Sequence, residues 1–214
     1  MNRCRVCGKG SLRVIQTESD NKIYYQCLNC RYTALDEAFY LNAAEEKERY
    51  LRHNNSLENA GYVAWLKRFL SFALTFTPRE NARVLDFGSG PEPVLTRILR
   101  AQGYEAVCED VYFAPGKPEG FFRLICAVEV LEHLSKPVDV LQGLAARLEA
   151  EGALCVSTEF LPRHPDDFEG WHYRSDATHI GFFTPEALDI CAVSCGLVLS
   201  RCDAVRYAEL SRSG

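Results

Sequence analysis

The sequence predicts an α/β protein in which a doubly wound sheet follows a small N-terminal β-hairpin module. From residue 82 onward, apolar strand-like segments alternate with helical segments, which is the order that builds doubly wound sheets. The segment 121–128 is almost continuously apolar, as a parallel strand buried on both faces is. Two Cys-x-x-Cys pairs in the first 30 residues indicate a separate metal-binding module before the sheet.

The four N-terminal cysteines predict a structural zinc site. Cys4 and Cys7 form one pair, Cys27 and Cys30 form the other, and 19 residues separate the two pairs. The intervening residues alternate in polarity like two strands around a turn at Asp20, so a hairpin brings the pairs together as a tetrahedral site. A redox-active Cys-x-x-Cys would need only one pair. Because so small a module buries little apolar area, we expect zinc to supply its folding energy.

The composition is that of an ordinary globular chain, which we expect in the cytoplasm. With 214 residues, 47% of them hydrophobic and 25% charged, the chain is neither disordered nor of low complexity. No apolar run approaches the roughly 20 residues of a membrane span, and the N-terminus lacks the apolar core of a signal peptide. In a reducing compartment, ten cysteines indicate metal binding or burial rather than disulfides. Six are predicted as core residues: Cys108, Cys126, Cys155, Cys191, Cys195 and Cys202.

The net charge of −5 is the sum of two parts of opposite sign. Residues 1–35 carry six basic and two acidic residues, a net charge of +4, whereas the remainder carries −9. An acidic body argues against general nucleic-acid binding. We therefore divide the chain into a zinc ribbon over residues 1–35, a helical connector over 36–78 and an α/β domain over 79–214.

The connector is predicted to contain two helices. Residues 36–55 are charged with a helical pattern, and residues 57–75 place Tyr62, Trp65 and other apolar side chains at helical spacing. An aromatic stripe of this kind is typical of a core-facing helix surface. The segment 77–81, which contains a proline, is predicted to break the chain before the α/β domain.

The α/β domain is predicted to alternate strands and helices up to a terminal hairpin. The predicted strands are 82–87, 104–108, 121–128 and 152–160, and the predicted helices are 94–102, 138–150 and 185–195. The last segment, 197–210, is predicted as a hairpin.

A glycine turn after the first strand of this domain indicates a nucleoside-cofactor site. Gly88 and Gly90 lie between a buried strand and a helix, where glycine lets the backbone approach a ligand closely. Glu109 and Asp110 end the next strand, where an acid accepts hydrogen bonds from ribose hydroxyls. Position 93 is proline, so the dinucleotide pattern G-x-G-x-x-G is absent, and no P-loop lysine follows.

This stretch resembles class I S-adenosylmethionine (SAM)-dependent methyltransferases. Residues 84–90 are similar to their first motif, V-L-D-x-G-x-G, and residues 124–134 contain the E-V-L-E-H run of many small-molecule methylases. The resemblance extends over residues 57–200 and implies a Rossmann-like sheet with SAM as cofactor. The chain looks most like bacterial methyltransferases of unassigned substrate that carry an N-terminal zinc ribbon, which share segments like residues 49–55 and 171–179.

The resemblance also implies which residues bind the cofactor. Gly88 and Gly90 would contact the methionine moiety, Asp110 or Glu109 would hold the ribose, and residues 127–130 would flank the methionyl part. The complete predicted set is Asp86, Gly88, Ser89, Gly90, Glu109, Asp110, Val128 and Glu129.

Two departures from the family pattern affect the predicted fold. Glu92 occupies the position of the third motif glycine, between two prolines, which alters the loop or brings a carboxylate near the cofactor. Only 12 residues, 109–120, separate the second and third predicted strands. This is too short for the family's usual extra helix and strand, so we expect an abbreviated sheet.

The segment 160–183 is long and rich in His, Asp and aromatic residues, as functional loops often are. We predict that His179 is a catalytic base oriented by Asp176 or aided by His172. The predicted substrate contacts are Tyr50, His53, Trp171 and Tyr173.

Two alternatives remain open at the predicted catalytic end. His133 is predicted to hydrogen-bond at a helix start rather than to catalyse. A divalent ion on Asp176, His179 and Glu129 is an alternative to a protein base.

The leading functional hypothesis is SAM-dependent methylation of a small molecule. Methylation of RNA or protein guided by the basic ribbon is the second hypothesis, although four zinc-bound thiolates reduce the ribbon's positive charge. A non-catalytic ribbon adaptor that retains a cofactor-binding fold is the third, and Glu92 is the residue that favours it.

Overall fold

The computed structural model describes residues 2–75 and 82–212. The predicted chain break at 77–81 and the boundary between residues 78 and 79 lie outside the described residues. The proposed domain limits therefore remain a prediction.

A six-stranded sheet forms the centre of the fold, in the order β5-β4-β6-β7-β10-β9. The strands β4 to β7 are parallel, and β10 is antiparallel to both of its neighbours. The predicted terminal hairpin is confirmed as β9 and β10. The strands are β4 (Arg83–Phe87), β5 (Glu105–Glu109), β6 (Phe122–Val128), β7 (Leu148–Ser157), β9 (Val198–Cys202) and β10 (Tyr207–Ser211).

Helices cover both faces of this sheet, so the predicted doubly wound α/β class is confirmed. Adjacent strand residues point to opposite faces: Val84 packs with α2 and α3, whereas Leu85 packs with α4 and α6. Both side chains are fully buried, which explains the continuously apolar strands. The helices are α1 (Ala43–Leu51), α2 (Ala60–Ala73), α3 (Val94–Ala101), α4 (Pro137–Ala145), α5 (Asp167–Gly170) and α6 (Pro185–Ser194).

The sheet is abbreviated where the sequence predicts it. Between β5 and β6 the chain forms a loop with a single bridge from Asp110 to Ala114 and no helix. The predicted helix over 138–150 was wrong at its C-terminal end, because α4 ends at Ala145. Leu148 already pairs with Phe122 at the start of β7, and this sheet pairing overrides local helix propensity.

The N-terminal hairpin is confirmed, but it belongs to a sheet of four strands in the order β1-β2-β3-β8. The fourth strand comes from the α/β domain and pairs antiparallel with β3. The strands are β1 (Leu12–Gln16), β2 (Ile23–Cys27), β3 (Thr33–Leu35) and β8 (Gly181–Phe182). The ribbon is therefore joined to the main domain by backbone hydrogen bonds as well as by side-chain packing.

The segment 160–183 is packed rather than open. It contains α5, a 3₁₀ turn over His172–Ser175 and β8. Its aromatic side chains pack against the ribbon. For example, the ring of Phe168 meets that of Tyr24 edge-on, with ring centroids 5.0 Å apart. Most of this segment therefore fixes the ribbon to the main domain.

Within residues 2–75 and 82–212, no helix combines the length and the apolar composition that crossing a membrane requires.

Candidate active site

A glycine turn connects the carboxyl end of β4 to α3. Gly88 and Gly90 have φ angles of +76° and +69°, a region that glycine enters without steric penalty. The Gly88 N–H donates to the Glu109 carbonyl at 2.8 Å, which holds the turn against the end of β5. A Cβ atom on Gly88 would collide with Cγ2 of Val130. Packing against Val130 therefore keeps this position glycine.

The same turn presents one unsatisfied polar group and open space. The buried Ser89 Oγ has no hydrogen-bond partner among the described residues, which is costly unless a ligand supplies one. A Cβ atom on Gly90 would meet nothing within 4 Å. Both features fit the polar methionine moiety of SAM. Glu92 is exposed and does not line the adjoining cavity.

The two acids at the end of β5 have different partners. Asp110 Oδ2 accepts from the Gly90 N–H at 2.9 Å, and Asp110 Oδ1 accepts from two backbone N–H groups of the following loop. Glu109 Oε2 instead accepts from Arg147 at 2.7 Å. Asp110 is therefore the acid that faces the glycine turn, whereas Glu109 is neutralised by an arginine.

Asp86 lies beneath the turn and does not line the cavity. Its Oδ2 accepts from the Thr96 N–H at 3.1 Å and from the Thr96 hydroxyl at 2.8 Å. Burial raises the pKa of Asp86 to about 6. Its observed contacts fix α3 to β4 and so support the glycine turn from below.

A cavity of about 1140 Å³ opens beside the glycine turn, over the carboxyl ends of β4, β5 and β6. This is where open α/β sheets bind ligands. Since no helix lies between β5 and β6, the cavity extends to Lys117 in the connecting loop and to Gly143 on α4. Its size is at the upper end for ligand sites. Predicted residues that line it are Tyr50, His53, Gly88, Ser89, Gly90, Glu109, Asp110, Val128, Glu129, Asp176 and His179.

Three histidines line the end of the cavity that α1 covers. The rings of His133 and His179 meet edge-on with centroids 4.8 Å apart, and the rings of Tyr50 and His133 also meet edge-on, with centroids 5.4 Å apart. Burial lowers the pKa of His179 to about 3 and also lowers the pKa values of His133 and His53. The imidazoles are therefore neutral at pH 7.

Asp176 connects α1 to this end of the cavity. Its carboxylate accepts from Arg49 Nη2 at 2.7 Å and from the N–H and hydroxyl of Thr178 at 3.0 and 2.7 Å. His53 Nε2 lies 3.7 Å from the same carboxylate. Although burial favours the neutral acid, the hydrogen bonds from Arg49 and Thr178 hold the pKa of Asp176 below its usual range.

The structure brings His179 and Asp176 into one cavity but gives them different partners. Nδ1 of His179 is 2.6 Å from the Tyr173 carbonyl, so a backbone group rather than the Asp176 carboxylate orients this ring. His172 is exposed, faces Glu159 at 3.4 Å and does not line the cavity.

Trp171 and Tyr173 are buried behind the cavity wall and do not line it. The Trp171 Nε1–H donates to Glu159 at 2.8 Å, and the Tyr173 hydroxyl donates to Glu129 Oε2 at 2.9 Å. Glu129 Oε1 also accepts from Ser157 at 2.7 Å. Burial raises the pKa of Glu129 to about 7. Tyr173 therefore positions a carboxylate of the cavity, whereas Trp171 binds Glu159, which does not line the cavity.

Sequence reasoning missed several residues that form the cavity wall. Tyr62 and Trp65 stack with centroids 5.8 Å apart and line the cavity, although their helical spacing suggested core packing. The Glu46 carboxylate accepts hydrogen bonds from the hydroxyl groups of Tyr50, at 2.7 Å, and of Tyr112, at 2.5 Å. A cluster of aromatic residues near a predicted cofactor site was the available signal.

The four N-terminal cysteines form one cluster. The Sγ atoms of Cys4 and Cys30 are 3.6 Å apart, those of Cys7 and Cys27 are 3.4 Å apart, and all four lie within 4.8 Å of one another. Tetrahedral zinc with bonds of about 2.3 Å sets its sulfurs about 3.8 Å apart. The cluster therefore has the donor set and spacing that a zinc ion requires.

Three solved structures with a similar fold are methyltransferases. A methyltransferase of calicheamicin biosynthesis, solved with S-adenosylhomocysteine (SAH), is 18% identical with a TM-score of 0.55 over 73% of this chain and 56% of that one. Magnesium protoporphyrin IX methyltransferase from Synechocystis PCC 6803, also with SAH, is 13% identical with a TM-score of 0.55 over 82% and 97%. Mitomycin 7-O-methyltransferase is 14% identical with a TM-score of 0.54 over 78% and 60%.

This chain spans a little over half the length of the calicheamicin and mitomycin enzymes, and these identities establish the fold alone. No curated protein sequence matches the chain. The sequence model of a family described as "Methyltransferase domain" matches residues 52–199, more than two thirds of the chain. The chain therefore belongs to the methyltransferase-domain family.

Proposed function

We propose that the protein transfers the methyl group of SAM to a small molecule bound in the cavity. The observation that carries the proposal is the glycine turn, in which Ser89 Oγ is buried without a partner in the described part of the chain and Gly90 faces open space. This turn adjoins a cavity large enough for a cofactor and a small acceptor together.

The cofactor end of the site comprises the glycine turn and Asp110. Gly88, Ser89 and Gly90 would hold the methionine moiety, and Asp110 would accept from the ribose hydroxyls, because its carboxylate faces the turn. Each oxygen of a carboxylate accepts more than one hydrogen bond. When bound, SAM supplies an electrophilic methyl group on a sulfonium. The chain's main task is therefore to align the acceptor with that group.

The acceptor end comprises Tyr50, His53 and His179, with Asp176 as a positioning residue. The neutral imidazoles offer lone pairs that accept a hydrogen bond from the acceptor, whereas a pKa of about 3 makes His179 a poor proton acceptor. Asp176 forms an ion pair with Arg49 on α1 and lies close to His53. Its role is to hold α1 in place over the acceptor end of the cavity. His172, Trp171 and Tyr173 are outside this proposal because they do not line the cavity.

A small acceptor is favoured over RNA because three of the ribbon's four arginines already have protein partners. Arg5 pairs with Glu37, Arg13 donates to Gln26, and Arg31 donates to carbonyls of the 160–183 segment. Phosphate binding depends on basic side chains that are free to replace counterions. We propose that zinc on Cys4, Cys7, Cys27 and Cys30 stabilises the ribbon, whose sheet continues into the main domain.

The test is transfer of labelled methyl groups by the full-length protein. The protein is incubated with methyl-labelled SAM and, separately, with the low-mass fraction, the RNA and the proteins of a cell extract. We expect label in the low-mass fraction alone. Label in RNA or protein instead would overturn the substrate class, and the absence of both transfer and SAH binding would overturn the activity.

A pair of matched variants locates the activity in this site. Asp110→Ala removes the carboxylate beside the glycine turn, so we expect loss of transfer and of SAH binding. Asp189→Ala makes the same chemical change at an exposed position on α6 and should leave both unchanged. Equal activity of the two variants would contradict the assignment.

A further inference from the structure

We propose that Glu132, His133 and His179 bind a divalent transition-metal ion at the acceptor end of the cavity. These three residues each offer a ligand atom, and the three atoms lie within 4.8 Å of one another. The group is separate from the four cysteines of the ribbon. His133 and His179 line the cavity, so an ion on this group would face the bound acceptor.

Glu132 is the first indication of a missing cation. Its side chain is fully buried, and neither carboxylate oxygen has a hydrogen-bond partner among the described residues. The hydroxyls of Tyr173 and Thr158 lie near this carboxylate, but the Tyr173 hydroxyl donates to Glu129 at 2.9 Å. In the ionised form, a carboxylate buried without a partner costs several kcal/mol, and burial accordingly raises the pKa of Glu132 to about 7. A cation held by the same carboxylate removes that penalty.

Both imidazoles are oriented as metal ligands are. Nδ1 of His133 lies 2.9 Å from the Thr178 carbonyl, and Nδ1 of His179 lies 2.6 Å from the Tyr173 carbonyl. Because a carbonyl only accepts, each ring carries its proton on Nδ1 and keeps a lone pair on Nε2. A second-shell carbonyl that fixes the tautomer in this way is the usual partner of a metal-bound histidine.

The spacing of the ligand atoms suits one ion. Nε2 of His133 is 3.7 Å from Oε1 of Glu132. Metal–ligand bonds of about 2.1 Å at tetrahedral angles set neighbouring ligand atoms about 3.4 Å apart. The widest pair, at no more than 4.8 Å, closes to this distance when each side chain moves by about 0.7 Å.

The donor set indicates the class of ion. Two imidazole nitrogens and one carboxylate suit zinc, iron, cobalt or manganese, whereas magnesium and calcium prefer oxygen ligands. Three protein ligands leave coordination positions open, as in catalytic rather than structural sites.

The catalytic role of the ion rests on the proposed methyl transfer, although its binding does not. If the hydroxyl oxygen of the acceptor occupied an open coordination position, the ion would lower the pKa of that hydroxyl group. The hydroxyl proton would leave to solvent, and an oxygen electron pair would form the bond to the methyl carbon. The electrons of the carbon–sulfur bond would return to the sulfonium sulfur and yield SAH.

The structure favours this ligand set over the alternative of Asp176, His179 and Glu129. The Asp176 carboxylate is occupied by Arg49 and Thr178. Both oxygens of Glu129 already accept hydrogen bonds from hydroxyl groups. Glu132, by contrast, has no hydrogen-bond partner within normal distance among residues 2–75 and 82–212.

Cobalt(II) titration of the zinc-loaded full-length protein tests the proposal. Four thiolates retain zinc against cobalt, so cobalt reports the second site through its visible d–d absorption. We expect one cobalt per chain without the near-ultraviolet charge-transfer band of thiolate ligation. Absence of saturable binding, or binding only with that band, would overturn the proposal.

Two ligand variants and one control complete the test. Glu132→Gln keeps the side-chain shape, and His179→Ala removes a ring; each should weaken cobalt binding at least about 100-fold. His164→Ala removes an exposed histidine outside the cavity and should bind cobalt like wild type. Equal binding by wild type and Glu132→Gln would refute the site. SAH titration of the same samples tests the proposed function independently, because its ligands lie on the glycine turn.

Discussion

Substituting the two glycines of the turn separates backbone strain from cofactor contact. In Gly88→Ala, the residue keeps a φ of +76°, which costs about 1–2 kcal/mol for alanine. The new Cβ also overlaps Val130, whose Cγ1 and Cβ atoms lie 3.4 and 3.5 Å away behind the colliding Cγ2. Such overpacking costs about 1–3 kcal/mol, so we expect a total loss of about 2–5 kcal/mol.

Gly90→Ala has the backbone cost alone, about 1–2 kcal/mol, because its Cβ meets no protein atom within 4 Å. The assay is urea unfolding of both glycine variants. Val130→Ala and the Gly88→Ala/Val130→Ala double variant are unfolded in the same way, so that Gly88 and Val130 form a double-mutant cycle. We expect the double variant to be more stable than additivity predicts by about 1–3 kcal/mol. Gly90→Ala should nevertheless lose SAH affinity. An additive cycle, or wild-type SAH affinity in Gly90→Ala, would refute the reasoning.

Three further predictions concern stability and order. The pKa of Asp86 in the folded state, about 6, lies above its unfolded value of about 3.9, so stability falls as pH rises between these values. In Asp86→Asn the amide oxygen still accepts hydrogen bonds from Thr96. The free energy of unfolding of this variant should therefore fall by about 3 kcal/mol less than that of the wild type between pH 4 and 7, as measured by urea unfolding. Cys27→Ser should abolish zinc binding and speed amide hydrogen exchange in the ribbon and in β8, while β4 to β6 keep their protection. Arg49→Ala should speed exchange across α1, which buries no residue. It should change global stability by less than about 1 kcal/mol, since the Arg49 side chain is 41% exposed and Thr178 continues to donate two hydrogen bonds to Asp176.

The sequence was sufficient for elements that depend on local pattern and short spacing. The cysteine pairs predicted the ribbon, the apolar runs predicted the parallel strands, and the 12-residue gap after Cys108 predicted the abbreviated sheet. Each of these signals lies within one short segment of chain.

Features that depend on distant segments could not be predicted in this way. β8 has only two residues, Gly181 and Phe182, and forms because it pairs with β3 far away in the sequence. The partners of Asp176 and His179 are likewise set by where α1 and the Tyr173 carbonyl lie in the fold. The complete burial of Glu132 likewise depends on segments that are distant in the sequence.

Binding of SAM by the glycine turn and Asp110 is tested most directly by calorimetric titration of the full-length protein with SAH. We predict saturable binding of one SAH per chain, which Asp110→Ala abolishes and Asp189→Ala leaves unchanged. The absence of binding to the folded, zinc-loaded protein would contradict the claim, as would binding that survives Asp110→Ala at full affinity.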